Sequence, residues 1–275
     1  MKTIVLPKID YSKFSKTRDY LKLITQLVSS IKGGKIPHQK NWEEYSLKVY
    51  SNGFTSSVIP IQTQSGIDAL QLDVNLIEQK LKIFYKNYSE EIPFEQSTIY
   101  DFTNALVEKL KFYGIEIENQ EAKFYRKDNI IYDIIESEKL WALYRQVYFL
   151  FIKLRGSTLF EVSNINFWPH HFDMALLFFS GKLIDGQDPA NWEYSREQMN
   201  FGLSSGDLEI AQPYFYVTGY PFDKKLLKIE IPKYAKWHTE GWNGLVIMLD
   251  QLEDQNQIMS KLYNLFVLLI NENYN

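Results

Sequence analysis

The sequence predicts an α+β protein, antiparallel sheets packed with helices, and three observations carry that expectation. Stretches with apolar residues at helical spacing are separated by stretches that alternate apolar and polar residues strictly. The alternating stretches come in groups divided by Ser, Asn and Gly, which suits hairpins and argues against the one-by-one exchange of strand and helix in a parallel sheet. No Gly-x-Gly-x-x-Gly or Gly-x-x-x-x-Gly-Lys-Ser/Thr string occurs, so neither dinucleotide nor P-loop phosphate recognition is expected.

Residues 18–31 open the helical series, with Tyr20, Leu21, Leu23, Ile24, Leu27, Val28 and Ile31 on one face and Arg18, Lys22, Gln26 and Ser30 on the other. Gly33 and Gly34 are the expected stop, through the left-handed conformation that glycine allows at a helix C-terminus. Tyr45, Leu47 and Val49 then alternate with polar neighbours up to the turn Ser51-Asn52-Gly53. Leu70, Leu72 and Val74 alternate likewise, and Leu81 and Ile83 supply the return strand of a hairpin. Thr98, with Asp101 three residues on, has the spacing of a helix N-cap, and Gly114 closes that helix.

In the second half, residues 138–154 form a broader apolar stripe that predicts a deeply buried helix. Strand-like runs follow at 172–179, 214–220, 225–231 and 244–249, the first ended by Ser180-Gly181-Lys182. A last helix carries Ile258, Leu262, Leu265, Phe266 and Leu269 on one face. The order repeats that of the first half, and Lys80-Leu81-Lys82-Ile83 is similar to Leu226-Leu227-Lys228-Ile229. Two duplicated α-β-β-β-β-α halves, 1–135 and 136–275, are therefore one expectation. A single irregular α+β domain is the other.

Composition narrows the function. At 275 residues, with 45% apolar and 16% aromatic residues, the chain can bury a sizeable core, which excludes wholesale disorder. A formal charge of −4 without a basic cluster argues against nucleic acid as a partner. No cysteine is present, so thiolate chemistry, disulfides and cysteine-ligated metals are excluded, and any chemistry must use oxygen and nitrogen. The apolar stretch in Met1–Pro7 is too short for a signal-peptide core. The run Leu265–Ile270 falls far short of the roughly 20 residues that span a bilayer, so a cytoplasmic protein with no membrane partner is expected.

Three clusters could carry chemistry. In Phe167-Trp168-Pro169-His170-His171-Phe172-Asp173, strand alternation would place His171 and Asp173 on one face and His170 and Phe172 on the other. An imidazole beside a carboxylate suits a general base with its orienting acid, or two ligands of a divalent metal completed by Asp207, Glu209, His38 or His238. The bland alternative is a satisfied, partly buried histidine with Trp168 in the core. Asn200 to Asp207, with Ser204, Ser205, Gly206 and Asp207, reads as a loop whose backbone N–H groups form an anion nest, or as a turn that only uses glycine. Asp207 there opposes an anion but suits a sugar, an amine or a metal. Tyr214 and Tyr216, on one face of their strand, can stack on a ligand ring while donating hydrogen bonds, or form an ordinary half-buried sheet face.

Taken together, Trp168 to Asp173, Phe201 to Asp207 and Pro213 to Val217 resemble the string of an uncharacterised bacterial domain-of-unknown-function family with WPHHFD, GFSPGD and EPYFYV segments. The likeness is specific in the second half and loose in the first, where Thr25 to Val28 and Asp101-Phe102 carry it. Ser205 replaces the proline of the pattern, and Gln212 replaces its glutamate. The resemblance implies a shared fold and pocket and brings no activity.

The first functional expectation is a small-molecule-binding protein, metal-assisted or not. Its pocket is lined by Trp168, His170, His171, Asp173, Ser204, Ser205, Gly206, Asp207, Tyr214 and Tyr216, with His171, Asp173 and Asp207 as the ligand set of any divalent metal. The second is an enzyme in which Asp173 orients His171 as base and the 204–207 loop stabilises developing negative charge. The third is a structural or protein-interaction module, which requires the aromatics to form an exposed patch.

Overall fold

The computed structural model describes residues 6–117, 121–252 and 257–274, with the side chain of Ile258 outside the description. Residues 1–5 of the stretch Met1–Pro7, in which no signal-peptide core is expected, also lie outside it. The chain runs α1 (Tyr11–Gly33), β1 (Lys48–Tyr50), β2 (Gly53–Thr55), β3 (Ile59–Thr63), β4 (Gly66–Asn75), β5 (Lys80–Tyr85), β6 (Tyr88–Pro93), α2 (Ile99–Phe112) and α3 (Ile134–Gly156). It continues through β7 (Glu161–Val162), β8 (Asn166–Trp168), β9 (Asp173–Leu183), β10 (Arg196–Ser204), β11 (Tyr214–Tyr220), β12 (Lys236–His238), β13 (Gly244–Met248) and α4 (Ile258–Tyr274). The protein is α+β, with all strand pairing antiparallel among the described residues. Among those residues no helix is long and apolar enough to cross a membrane.

Two compact units divide the chain, one of Ile9–Trp141 with Asn166–Phe172, the other of Ala142–Ile165 and Asp173–Asn275 with the N-terminal residues to Lys8. In the first unit the sheet order is β1-β2-β4-β5-β6, with β3 also paired to β4. The alternation in β4 works as expected: Leu72 faces Ile83 and Val74 faces Leu81 across the β4–β5 ladder, and all four are buried. Phe54 of β2 stacks on Phe167 of β8 at 3.8 Å, and Trp141 meets Phe54 edge-on at 6.0 Å. The apolar stripe of α1 is buried from Phe14 to Ile31 except at Leu23, Arg18 is buried although expected on the polar face, and the first turn is capped by the Asp10 carboxylate, which accepts from Ser12 N at 3.1 Å.

The stop of α1 differs from expectation. Gly34 is right-handed, at φ −71°, and the nearby glycine that matters is Gly33, where a Cβ would lie 2.2 Å from the Tyr45 ring. Tyr45 itself is not in a strand. It ends a 3-10 segment, Lys40–Tyr45, in which Asn41 and Trp42 take positive φ. Helix α2 starts as its sequence requires: Thr98 Oγ1 accepts from Asp101 N at 3.1 Å and donates to Asp101 Oδ2 at 2.8 Å. Thr98→Ala should therefore lower stability by about 1 kcal/mol in urea unfolding, an effect absent if this cap were dispensable.

In the second unit the sheet runs β12-β13-β11-β10-β9-β7. Its apolar face carries Met174, Leu176 and Phe178 from β9, Phe201 and Leu203 from β10, and Phe215 and Val217 from β11, all buried. Phe266 of α4 covers it, 5.1 Å from Phe201 and 6.3 Å from Phe215. Leu262, Leu265 and Leu269 are buried with Phe266, as the helical spacing predicts.

Three expectations for this half are corrected. Residues 225–231 form no strand, because Asp223 caps Lys225 N at 2.8 Å and starts a 3-10 turn over Lys224–Lys228. The residues Leu226 to Ile229 thus occupy a different element from their lookalikes Lys80 to Ile83 in β5, and that similarity supports no repeat. Strand β9 begins at Asp173 and runs on through Ser180 and Gly181. Residues 200–204, expected in a loop, belong to the nine-residue strand β10.

Candidate functional site

The second sheet has a polar face opposite its apolar one, itself largely buried, and antiparallel register fixes what that face carries. Gly202 pairs with Tyr216 on one side and Ala175 on the other, while Ser204 pairs with Tyr214 and Asp173. Directly paired residues point the same way, so Asp173, Asn200, Gly202, Ser204, Tyr214 and Tyr216 share one face across three strands.

Gly202 shapes the centre of this face. A Cβ on it would lie 2.1 Å from Tyr216 Cζ and 2.3 Å from the hydroxyl, so the ring of Tyr216 lies across the bare backbone of β10. From there its hydroxyl reaches the next strand and donates to Asp173 Oδ2. Burial, then the Asp173 charge and this hydrogen bond, push the Tyr216 phenol well above its ordinary pKa. The tyrosine consequently stays protonated and acts as a donor, not as a base.

Asn200 completes the arrangement. Its side chain hydrogen-bonds Tyr216. Because the phenolic proton goes to Asp173, Asn200 must offer its NH2 group, which turns its Oδ1 away. That oxygen is buried and has no hydrogen-bond partner among the described residues.

The adjoining loop is tied down by Asp207. Its Oδ2 accepts the Tyr214 hydroxyl at 2.7 Å, and its Oδ1 accepts Glu209 N and Ile210 N, each at 2.8 Å. Burial, followed by Asp207, raises the Tyr214 pKa. Gly206 N donates to Ser204 Oγ at 3.1 Å and Asp207 N to Ile210 O at 2.9 Å. Those two amides are engaged inside the loop, whereas an anion nest would point them outward. Ser205 is fully buried.

Trp168, His170 and His171 belong to the first unit. The strand alternation expected to put His171 and Asp173 on one face does not hold, because 169–172 is a turn: Phe172 N donates to Trp168 O at 2.7 Å and Phe172 has φ 58°. Both imidazoles are exposed, and the rings meet edge-on at 4.8 Å. His170 has its pKa lowered, chiefly by partial burial and then by the charges of His171, Lys123 and Lys22. Gln26 of α1 donates to the His170 carbonyl at 3.2 Å. Elsewhere in that unit, His38 Nδ1 lies 2.8 Å from Glu44 Oε1.

Among the described residues no three His, Asp or Glu side chains group to hold a metal ion. Asp173 and Asp207 instead each take a tyrosine hydroxyl, so the expected set of His171, Asp173 and Asp207 is not carried forward as a metal centre. Sequence reasoning missed Asn200 and the purpose of Gly202. The signal was present as a glycine at the register position of a tyrosine, legible only once β10 is known to be a strand.

Comparison with known proteins finds one family, matched over residues 6–266. No curated protein and no solved structure matches the chain.

Proposed function

Since the chain belongs to the Family of unknown function (DUF5996), which brings no activity with it, we propose from its geometry that it is a small-molecule-binding protein. The ligand lies on the polar face of the second sheet and is a neutral or cationic molecule bearing hydroxyl or amine donors. The observation that carries this reading is the buried, unpartnered Asn200 Oδ1 beside the Tyr216–Asp173 pair. A buried acceptor without a donor costs about 1–3 kcal/mol, and an O–H or N–H donor from a ligand relieves that cost. Tyr216 adds a partly exposed ring for stacking, while Asp173 and Asp207 disfavour anions.

Binding fits better than acid–base catalysis, because a phenol held protonated and hydrogen-bonded to a carboxylate orients a ligand but accepts no proton from it. Neither His171 nor a divalent metal is needed.

Thermal-shift screening of sugars, polyols and amines tests the reading. Compounds that stabilise the parent should lose about tenfold in affinity with Tyr216→Phe, which removes the hydroxyl and keeps the ring. Equal affinity for parent and variant across all stabilising compounds overturns it.

A further inference from the structure

The polar face of the second sheet carries another orphaned acceptor beside Asn200, and the two together narrow the class of ligand. Gln198 precedes Asn200 by two residues on β10, so both side chains stand on that face, with their Cα atoms about 6.6 Å apart. Gln198 Nε2 donates to Glu193 O at 2.9 Å, which turns its Oε1 the other way. That oxygen, like Asn200 Oδ1, is buried and has no hydrogen-bond partner among the described residues. In both amides the NH2 group is engaged and the carbonyl is left over.

Register supplies the surroundings. Asn200 pairs with Leu177 and Thr218, and Gln198 pairs with Phe179 and Tyr220, so these side chains flank the two carbonyls on the same face. Tyr220 meets Tyr194 edge-on at 5.8 Å, which makes an aromatic corner beside Gln198. Leu177, Tyr220, Gln198 and Asn200 are all half-buried, so this end of the face is reached from solvent. The cation on the same strand, Arg196, is committed to the preceding loop: its guanidinium lies over the Trp192 ring at 3.3 Å and donates to Ser195 Oγ at 2.7 Å.

A wall that offers only acceptors selects a group that only donates. A hydroxyl would satisfy a carbonyl and leave its own lone pairs without a donor, whereas a primary ammonium carries three donors and no acceptor. The hydrogen-bond chain favours positive charge as well. Asn200 donates to Tyr216, which donates to the Asp173 carboxylate, and such a chain polarises the Asn200 oxygen toward negative charge. The tyrosine corner beside Gln198 attracts a cation through its ring faces.

We propose, on the binding reading above, that the ligand of this face is an unbranched diamine of about four carbons, one ammonium at Asn200 Oδ1 and the other at Gln198 Oε1. Its methylenes lie against Leu177 and Tyr220. A four-carbon chain sets its terminal nitrogens about 6 Å apart, near the spacing of the two residues.

Calorimetric titration at about pH 7, where both amines are protonated, with 1,4-diaminobutane, 1-butylamine and 1,4-butanediol tests the proposal. The diamine should bind at least tenfold more tightly than either of the others. Gln198→Met, which removes the acceptor and keeps the chain length, should cut the advantage over butylamine to below about threefold. Tyr220→Leu, which leaves both amides in place, should also reduce that advantage, and it carries the test where Gln198→Met does not fold. The diol bound as tightly as the diamine, the diamine bound no better than butylamine, or a folded Gln198→Met that keeps the full advantage overturns the proposal. Sugars that lose affinity with Tyr216→Phe while the diamine shows no preference strike this proposal alone. Absence of Tyr216-dependent binding for every compound strikes the binding reading with it.

Discussion

Gly53→Ala is expected to lower the unfolding free energy by about 4 kcal/mol, from two penalties that act together. Gly53 has φ +148°, a backbone state that residues with a side chain rarely adopt. A Cβ there would also lie 2.2 Å from the carbonyl oxygen of Val74, a backbone atom of β4. Val74 cannot move aside, because β4 is paired to β2 on one side and to β5 on the other, in register with Phe54 and Leu81 at this position. Leu76 N, which donates to Asn52 O at 2.8 Å, would be crowded as well, at 3.2 Å. Gly66→Ala separates the two penalties, since Gly66 has φ +132° and nothing within 4 Å of where its Cβ would stand. Its loss should be about 1 kcal/mol, the conformational part alone. Urea unfolding of both variants reads the difference, and equal midpoints for the two would refute the steric account.

The way these residues reach their roles shows what a single sequence discloses. The helical stripe of α1, the cap at Thr98 and the alternation of β4, β5 and β11 were legible because each follows from local periodicity and one or two capping side chains. Strand β10 was not, because the Gly and Ser near its end look like a loop when the close approach of Tyr216 is unknown. Similarly, the pairing of His171 with Asp173 on one strand face rested on an extended chain, and Phe172 breaks it by adopting a left-handed conformation that its own type disfavours. Among the residues singled out, Asp173 and Asp207 each hold a tyrosine hydroxyl, a pairing that local spacing did not indicate. Asp173 was expected beside an imidazole and holds a phenol, a contact across three strands that no local spacing encodes.

Lys32 is the clearest case of a residue invisible to pattern, and it carries the second large prediction. It stands in the last turn of α1, where a lysine is ordinarily solvated, yet it is 5% exposed. The 3-10 segment that follows brings the carbonyls of Glu43 and Ser46 within 2.9 and 2.5 Å of its Nζ. Burial, then the nearby Lys48 charge, lower its pKa to about 8, against the opposing pull of Glu43 and Glu44. The unfolded chain holds this proton up to about pH 10.5, so between about pH 8 and 10.5 the unfolded state binds more protons and stability rises with pH. Over that whole window the gain is roughly 3 kcal/mol. Its upper part is masked, because Tyr20, Tyr50, Tyr132 and Tyr274 have raised pKa values and ionise far more readily when unfolded, which reverses the slope above about pH 10. Urea unfolding should therefore show stability climbing by roughly 1–2 kcal/mol from about pH 8 to 9.5 and then falling. Lys32→Met should abolish the climb and keep the fall, whatever its stability at neutral pH. In that variant Glu43 O keeps its bonds from Ser46 N at 3.1 Å and Ser46 Oγ at 2.9 Å, so the segment retains part of its anchoring. A parent with no climb, or a variant that still climbs, would show that the ammonium of Lys32 is not held at a cost by the fold.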